Sequence, residues 1–337
     1  GAGLSVADLD SVVIGGSLLD ANDIHGSGTY NVEAVGCLVS AEYNYWGTVD
    51  EDTLASWLSG PVDYSPWTDS SHTGVYESTY QEGVLTGDVH WSGEVKVAGD
   101  VVVPVGSSLT VDAGTEVKVW AGASRWDTLG VTEGRCDVIV EGVLHVAGGG
   151  SRSDSVHVHG WLPLQEDLEP SGGQWGSLAF LGSSVDSLCV VEHALLEGAT
   201  VGVLVEDATP DLRSTVIRVT SGDGVSGSVS GEFRVDDCDI SGRGSGAGVS
   251  VISTGQDGAL RLRGCTVEGG VAGEGRGVIE LLGNPSLGSV DIRAVGEFDT
   301  LRTVVRRNTV LGSITLRSNQ ENSRHVGVVY GNEASVI

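Results

Sequence analysis

Methionine is absent from the 337-residue sequence, and phenylalanine occurs only 3 times. Long helices favour Ala, Leu, Met, Lys and Glu, whereas this chain contains 52 Gly and, by count, 52 Val. Val favours strands because its branched Cβ packs well on a pleated surface, and Gly at this density supplies tight turns. The composition therefore excludes a helical bundle and predicts an all-β fold.

Lysine is nearly as scarce, since Lys96 and Lys118 are the only two. The 46 Asp and Glu against 18 Lys and Arg leave a formal charge of -28, which repels nucleic-acid phosphates and anionic lipids. The sequence also lacks an apolar run of about 18 residues, the length that a membrane-spanning helix requires. We therefore expect no nucleic-acid partner and no membrane insertion. The acidic surface either maintains solubility alone or suits a cation-rich environment.

The five cysteines are an odd number without CxxC spacing, so the sequence indicates neither a zinc cluster nor a disulfide-dense scaffold. The chain also starts without Met and without a basic and apolar leader segment. We expect either that a leader was removed or that the chain is a segment of a longer protein.

Internal repeats are the most informative feature. From about residue 190 the chain repeats one order of residues. A short strand is followed by a small or polar residue, a β-branched or Leu residue lies two places after that residue, and a Gly and a second strand complete the repeat. The equivalent positions are Ala194, Thr215, Cys238, Cys265 and Asn308, with spacings of 21, 23, 27 and 43, the last about two periods. Coils of about 21 to 27 residues, each too thin to bury its own side chains, predict a solenoid of stacked coils.

Stacked coils place equivalent residues in columns about 4.8 Å apart. Cys238 would then lie next to Cys265, either as stacked buried thiols or as a disulfide. Residues 91 to 147 alternate apolar and polar residues with turn residues between the runs, which also indicates strands. The pattern breaks between residues 148 and 175, which we predict to be a loop excursion.

Several phrases, among them GDVVVPVGSSLTVDAGTEVKV, EGVLHVAGGG and GGQWGSLAFLGSS, resemble the right-handed parallel β-helix proteins of the pectin-lyase-like superfamily. The large secreted and cell-surface branch is the most similar. Residues 41 to 69 resemble the closing coil of that group, with its Asn-x-Trp-Gly turn and later Val-Asp-Tyr-x-Pro-Trp. The resemblance implies a fold and not an activity, because this fold hosts lyases, hydrolases, adhesins and fibres.

If residues 41 to 69 close a run of coils, the chain contains two units. Residues 1–73 are then predicted to be the end of one β-helix, and residues 74–337 are predicted to form a second β-helix. A short amphipathic helix is expected near residues 50–58, capped by Asp50 or Thr48, where it could cover the open end of the solenoid. The predicted closure and capping residues are Asn44, Trp46, Gly47, Trp57, Tyr64, Pro66 and Trp67.

Both ends of the sequence read as β-helix coils interrupted in mid-pattern. One hypothesis is that the C-terminal coil of one copy stacks on the N-terminal coil of the next, which builds an open head-to-tail fibre through residues 1–35 and 300–337. The alternative is that the chain is a fragment of a longer protein.

The sequence contains few patterns typical of catalytic or metal-binding sites. Asp236, Asp237 and Asp239 form the best carboxylate cluster, but the Gly-His-Gly turn and Arg-x-Lys triplet of polygalacturonases do not occur. His157 and His159 point the same way from an alternating strand, so that they could begin a metal site or be ordinary surface residues. We expect no catalytic residue and no cofactor, with calcium as the ion most compatible with so many carboxylates.

Eight Trp residues beside three Phe leave two functional interpretations open. Buried Trp would plug the solenoid near the unit boundary, whereas exposed Trp would stack on sugar rings. The sequence predicts a non-enzymatic, extracellular structural subunit of a fibre, stalk or surface adhesin. A secreted carbohydrate-binding or carbohydrate-active β-helix is the alternative, with surface glycans as partners.

Overall fold

The computed structural model describes residues 3–7, 11–121, 129–151, 153–163, 173–244, 246–255, 257–294, 300–318 and 324–334. From residue 81 onward each turn of the chain adds strands to three parallel walls. This parallel β-helix confirms the predicted fold class. Numbered along the chain, the strands of wall A are β10 (Asp88–Trp91), β12 (Ser108–Val111), β15 (Val143–Ala147), β18 (Val190–Glu192), β21 (Asp211–Arg213), β24 (Glu232–Asp236), β27 (Ala259–Arg263), β30 (Gly277–Leu282), β33 (Thr300–Arg306) and β36 (Arg324–Tyr330).

Walls B and C share the long strand β11 (Glu94–Val103), whose two halves pair with different neighbours. Wall B continues with β13 (Glu116–Trp120), β16 (Val156–Trp161), β19 (Ala194–Glu197), β22 (Val216–Arg218), β25 (Asp239–Ser241), β28 (Thr266–Glu268), β31 (Ser286–Leu287), β34 (Thr309–Val310) and β37 (Glu333–Ala334). Wall C contains β9 (Gln81–Val84), β14 (Val138–Val140), β17 (Leu178–Leu181), β20 (Val203–Glu206), β23 (Val225–Val229), β26 (Val249–Ser253), β29 (Val271–Gly275), β32 (Val290–Ala294) and β35 (Ile314–Ser318). A 3-10 turn, Asp186–Leu188, precedes β18.

The interior is built from columns of equivalent side chains. In wall A one column runs through Trp91, Val111, Val146, Val191, Leu212, Val235, Leu262, Leu281, Val305 and Val329, each paired with the next in register. All of these side chains are buried except the last, Val329, which is 47% exposed. Each coil therefore buries its apolar residues against its neighbours rather than against itself.

The corner between walls A and B repeats the same backbone geometry in seven coils. The residue before each corner position has a left-handed backbone, with φ between 46° and 67° at His193, Ser214, Asp237, Gly264, Gly283, Arg307 and Gly331. The corner positions that follow are Ala194, Thr215, Cys238, Cys265, Asn284, Asn308 and Asn332. The 43-residue gap in the repeat is thus two coils of 19 and 24 residues through Asn284, and the 19-residue coil is shorter than predicted.

Asparagine side chains link consecutive coils at this corner. Asn308 Oδ1 accepts hydrogen bonds from the backbone nitrogen and Nδ2 of Asn284, at 3.0 and 2.7 Å. Asn308 Nδ2 donates to Leu281 O at 2.9 Å and to Asn332 Oδ1 at 3.1 Å. Both Asn284 and Asn308 are buried, so that the ladder satisfies polar groups that water cannot reach.

Cys238 and Cys265 occupy the same corner on adjacent coils, as the repeat predicts. Both thiols are buried and unbridged. Cys265 Sγ donates to Val235 O at 3.2 Å, and Cys238 Sγ donates to Asp236 O at 3.3 Å. The thiols thus act as small, buried donors at positions where other coils carry Thr or Asn.

The described residues from 3–7 and 11–76 form a smaller set of coils. Its strands β1 (Leu4–Ala7), β2 (Ser11–Val13), β3 (Val32–Val35), β4 (Leu38–Ser40), β5 (Leu58–Ser59), β6 (Val62–Asp63), β7 (Trp67–Thr68) and β8 (Val75–Tyr76) pair only with one another among the described strands. They enclose a separate apolar core. The unit boundary at residue 73 stays a prediction.

The expected helix is present as α1 (Glu51–Ser56), with Asp50 as its N-cap. Its Leu54 packs into the core of the first coils, while Ala55 packs on the other side against Tyr80 and Trp161. Asp52 accepts from Lys96 Nζ at 2.7 Å and from Tyr80 OH at 2.6 Å. The helix therefore joins the first coils to the long β-helix.

The predicted closure residues surround this helix. Asn44, Trp46, Tyr64 and Trp67 are buried, and Trp57 is the C-cap of α1. The Tyr64 hydroxyl donates to Glu51 at 2.9 Å. Gly47 has a φ of 87°, and a Cβ there would lie 2.7 Å from His25 Cβ. Pro66 follows a cis peptide bond.

The loop excursion predicted for residues 148–175 is wrong for residues 156–161. These residues form β16, which pairs with β13 and β19 as a regular strand of wall B. The alternating sequence VHVHGW is typical of a strand, and the polar segment after it obscured that pattern. Residues 164–172 of the predicted excursion lie outside the described residues.

Replacing Asn308 by Ala should lower the free energy of unfolding by about 3 kcal/mol, because buried partners on both neighbouring coils lose their hydrogen bonds. Asn308→Thr should lose less, since Thr215 performs a related role at the equivalent corner, where it accepts from Ala194 N and donates to Val191 O. Urea unfolding followed by circular dichroism measures both variants. Equal losses in the two variants would contradict the hydrogen-bonding role of this corner.

Candidate functional site

The outer surface of wall B from β11 to β28 carries most of the chemistry that the fold brings together; we call it the charged face. Strand residues alternate between the interior and this surface, so that every second residue of each strand faces outward. One outward row contains Glu94, Glu116 and His157, and the neighbouring row contains Lys96, Lys118 and His159. The parallel register therefore places charged side chains from distant parts of the sequence side by side.

Ion pairs connect the first strands of the charged face. Lys118 Nζ lies 2.7 Å from a Glu94 carboxylate oxygen and 3.6 Å from a Glu116 carboxylate oxygen. The hydrogen bond from Lys118 lowers the pKa of Glu94. Lys96 is also held, because it bonds Asp52 of α1 and lies 4.9 Å from the ring centre of Trp161. Both lysines of the chain are thus committed to structural contacts.

His157 and His159 form the centre of the charged face. Their rings stack with centroids 4.4 Å apart. His157 Nε2 lies 3.1 Å from Glu197 Oε2, and His159 Nε2 lies 3.0 Å from Glu116 Oε1. Burial, reinforced by the neighbouring His159, lowers the pKa of His157. Both rings therefore face carboxylates, and burial disfavours the charged form of His157.

Glu116 supplies the third potential ligand that the sequence pattern of the two histidines lacked. The ligand atoms of Glu116, His157 and His159 lie within 4.8 Å of one another, and no other such group occurs among the described residues. Glu116 precedes His157 by 41 residues, so that only the strand register identifies it. The alternating sequence of β13 is sufficient to predict that Glu116 faces outward. It does not predict that Glu116 lies opposite His157.

The carboxylates predicted as a cluster do not converge. Asp236 ends β24 in wall A, Asp237 occupies the left-handed corner, and Asp239 begins β25 in wall B. The chain turns between the first and the last of them, with Cys238 pointing into the core. Only Asp239 reaches the charged face, where it lines a shallow groove.

That groove has a volume of about 300 Å³ and continues the charged face beyond the histidines. Its charged lining consists of Glu197, Arg218, Asp239, Arg243 and Glu268. Arg218 lies 3.2 Å from Glu197, so that the groove begins at the carboxylate that His157 contacts. Mixed charges and hydroxyls on an open surface suit a polar ligand better than an apolar one.

A second group, a buried carboxylate pair, gave no signal in the sequence pattern. Asp100 in β11 and Asp137 before β14 are both fully buried. Asp137 accepts hydrogen bonds from the backbone nitrogens of Val131, Thr132 and Ser177 at 2.6 to 2.9 Å. Asp100 accepts from the backbone nitrogen of Asp137 at 3.0 Å. Burial raises the pKa of Asp100 to about 6, with a further contribution from the charge of Asp137.

The fold and the charged face define a parallel β-helix protein with a polar outer surface. Among the described residues, no helix is long and apolar enough to cross a lipid bilayer. No family model, no curated protein and no solved structure matches this chain.

Asp100→Asn should stabilise the protein at pH 7 by about 2 kcal/mol and have little effect at pH 4. The folded state holds the Asp100 proton up to about pH 6, because its pKa is raised there, whereas an unfolded Asp releases the proton near its ordinary pKa of 3.8. The wild type therefore loses stability as the pH rises from about 4 to 6, and the neutral amide removes that loss. Urea titrations at both pH values measure the difference.

Asp137→Asn is the matched control for this prediction. Because both carboxylate oxygens of Asp137 face N–H donors, an amide NH₂ placed there would oppose a donor at either pH. This variant should be destabilised at pH 4 and at pH 7. A loss of stability at pH 7 in Asp100→Asn as well would show that Asp100 is held as a charged acceptor.

Proposed function

We propose that this protein is a non-enzymatic structural subunit of an extracellular fibre, stalk or surface adhesin that assembles by head-to-tail stacking of β-helix ends. The same proposal includes membership of the secreted and cell-surface branch of the pectin-lyase-like superfamily and an extracellular location. The single observation that carries it is that interior columns end in exposed apolar side chains at both ends of the described coils.

At the C-terminal end, Val329 continues a column whose other members are all buried. It pairs with Val305, which is fully buried, yet is itself 47% exposed. At the N-terminal end, Leu4 pairs with the fully buried Val32 and is 38% exposed. Both side chains have the position of core residues, and among the described residues no further coil covers them. A second copy supplies that cover if Val329 of one chain meets the first coil of the next.

The asparagine ladders at the two ends have the same polarity. Asn308 donates from its backbone nitrogen and Nδ2 to Asn332 Oδ1, at 2.9 and 3.1 Å. Asn22 donates in the same way to Asn44 Oδ1, at 2.9 and 3.0 Å. In a tail-to-head stack Asn332 would donate to Asn22, which continues one ladder through the junction. An end that matches another end of the same chain favours an open, heterologous assembly.

Two further features agree with a structural role. Among the described tryptophans between residues 46 and 161, Trp46, Trp67, Trp91 and Trp161 are buried, as residues that plug the solenoid would be, and Trp57 and Trp120 are half-buried. Trp126 lies outside the described residues. The charge of -28 would cover the outside of a long rod and keep neighbouring rods apart.

Val329→Lys should abolish assembly of the 337-residue chain, because a charge at a core position opposes the cover of another coil. Val328→Lys is the matched control, since Val328 lies one residue away in a row that continues outward through Val304 and Glu280. We expect the wild type and Val328→Lys to form filaments at high concentration and Val329→Lys to stay monomeric.

Electron microscopy and sedimentation velocity measure this outcome. A wild-type chain that remains a monodisperse monomer at high concentration would exclude the assembly. Equal assembly by both lysine variants would place the contact elsewhere on the molecule.

The groove on the charged face favours one alternative, a carbohydrate-binding β-helix. Its carboxylates, arginines and hydroxyls could bind sugar hydroxyl groups, although no tryptophan lines it. A glycan array distinguishes the two functions. If the groove binds glycans, the wild type should bind saturably and Arg218→Ala with Asp239→Ala should lose that binding, whereas the assembly proposal expects no glycan signal.

A further inference from the structure

The charged face presents a ligand set that the structural role does not use. Glu116 of β13 lies directly opposite His157 of β16 in the strand register, and His159 follows two residues later on the same side. All three side chains are half-buried. Side chains on paired strands are held more rigidly than side chains on loops. The three potential ligands are therefore already close together in the folded protein.

The contacts of His159 orient its ring as metal-binding histidines are usually oriented. His159 Nδ1 lies 3.0 Å from the carbonyl oxygen of Gly160, which favours a proton on Nδ1. Nε2 faces Glu116 Oε1 at 3.0 Å, so that a bound ion would take the place of the proton shared between these two ligand atoms. A backbone carbonyl in this position is a common outer partner of metal-bound histidine, because it sets the tautomer and the ring direction.

The charged side chains around Glu116, His157 and His159 are compatible with a bound cation. Lys118 is the nearest positive group, 3.6 Å from Glu116, but its shorter contact is with Glu94 at 2.7 Å. Glu197, 3.1 Å from His157 Nε2, adds a carboxylate on the other side. A cation bound by Glu116 and the two histidines would therefore have Glu197 beside His157 as a further negative charge, while Lys118 keeps its contact with Glu94.

We propose that Glu116, His157 and His159 bind a divalent first-row transition ion of the zinc type. Two imidazole nitrogens and one carboxylate oxygen form a ligand set that zinc accepts, with a fourth position left for water. Nitrogen ligands favour such an ion over calcium, which prefers oxygen ligands alone. Binding requires the ligand atoms to move from within 4.8 Å of one another to the closer spacing of a shared ion.

Isothermal titration of the full 337-residue chain with zinc chloride in a non-chelating buffer at pH 7.5 tests the site. We expect one zinc ion per chain, and we expect His157→Gln, His159→Gln and Glu116→Gln each to weaken binding by at least about tenfold. His145→Gln is the matched control, because His145 faces outward from β15 in wall A and should leave zinc affinity unchanged. Circular dichroism confirms that each variant is folded.

Cobalt provides a second readout that does not depend on heat. Co²⁺ bound by nitrogen and oxygen ligands should give a visible absorption band that zinc displaces and that His159→Gln lacks. The site is excluded if zinc binds with the same affinity in the wild type and in both histidine variants, or if no saturable binding occurs. Calcium that competes with zinc at equal concentration would also overturn the proposal.

Discussion

The corner between walls A and B is the constraint on which the rest of the structure depends. A left-handed residue turns the chain, and the next side chain or backbone group must then satisfy polar groups of the adjacent coil, as Asn284, Asn308 and Asn332 do in succession. A left-handed backbone costs roughly 1 to 2 kcal/mol for a residue with a Cβ, and Gly avoids that cost. Because the same geometry recurs in seven coils, it sets where each new coil begins and thereby aligns all three walls.

Alignment of the walls produces two different surfaces from one alternating pattern. Inward residues form continuous columns such as Val191, Leu212 and Val235, which are fully buried. Outward residues form parallel rows, where Glu94, Lys118 and Glu116 pair across strands. The strand register thus determines both which apolar side chains pack together in the interior and which charged side chains pair on the outer surface. A slip of one residue would exchange the two faces and is therefore strongly disfavoured.

Helix α1 shows how the two sets of coils are connected. Leu54 packs in the core of the first coils, and Ala55 packs in a separate small cluster with Tyr80 and Trp161. The helix has only six residues, so that its own backbone provides little stability. Its position depends instead on contacts that cross the junction, chiefly those of Glu51 and Asp52 with Thr79, Tyr80 and Lys96. The buried tryptophans of this region form part of the same junction.

Composition, alternation and the repeat of about 21 to 27 residues were sufficient to predict the all-β solenoid and the shared column of Cys238 and Cys265, and the amphipathic pattern with its N-cap candidate predicted the helix near residues 50–58. These features depend on local preference and on a period, both of which a single sequence displays. The strand β16 and the position of Asn284 as the corner of the additional coil escaped prediction, because unequal coil lengths hide the phase of the repeat. The encounter of Glu116 with His159, 43 residues apart, was decided only by the tertiary structure. Strand register depends on packing throughout the stack, and no local pattern in the sequence specifies which distant residue will lie opposite.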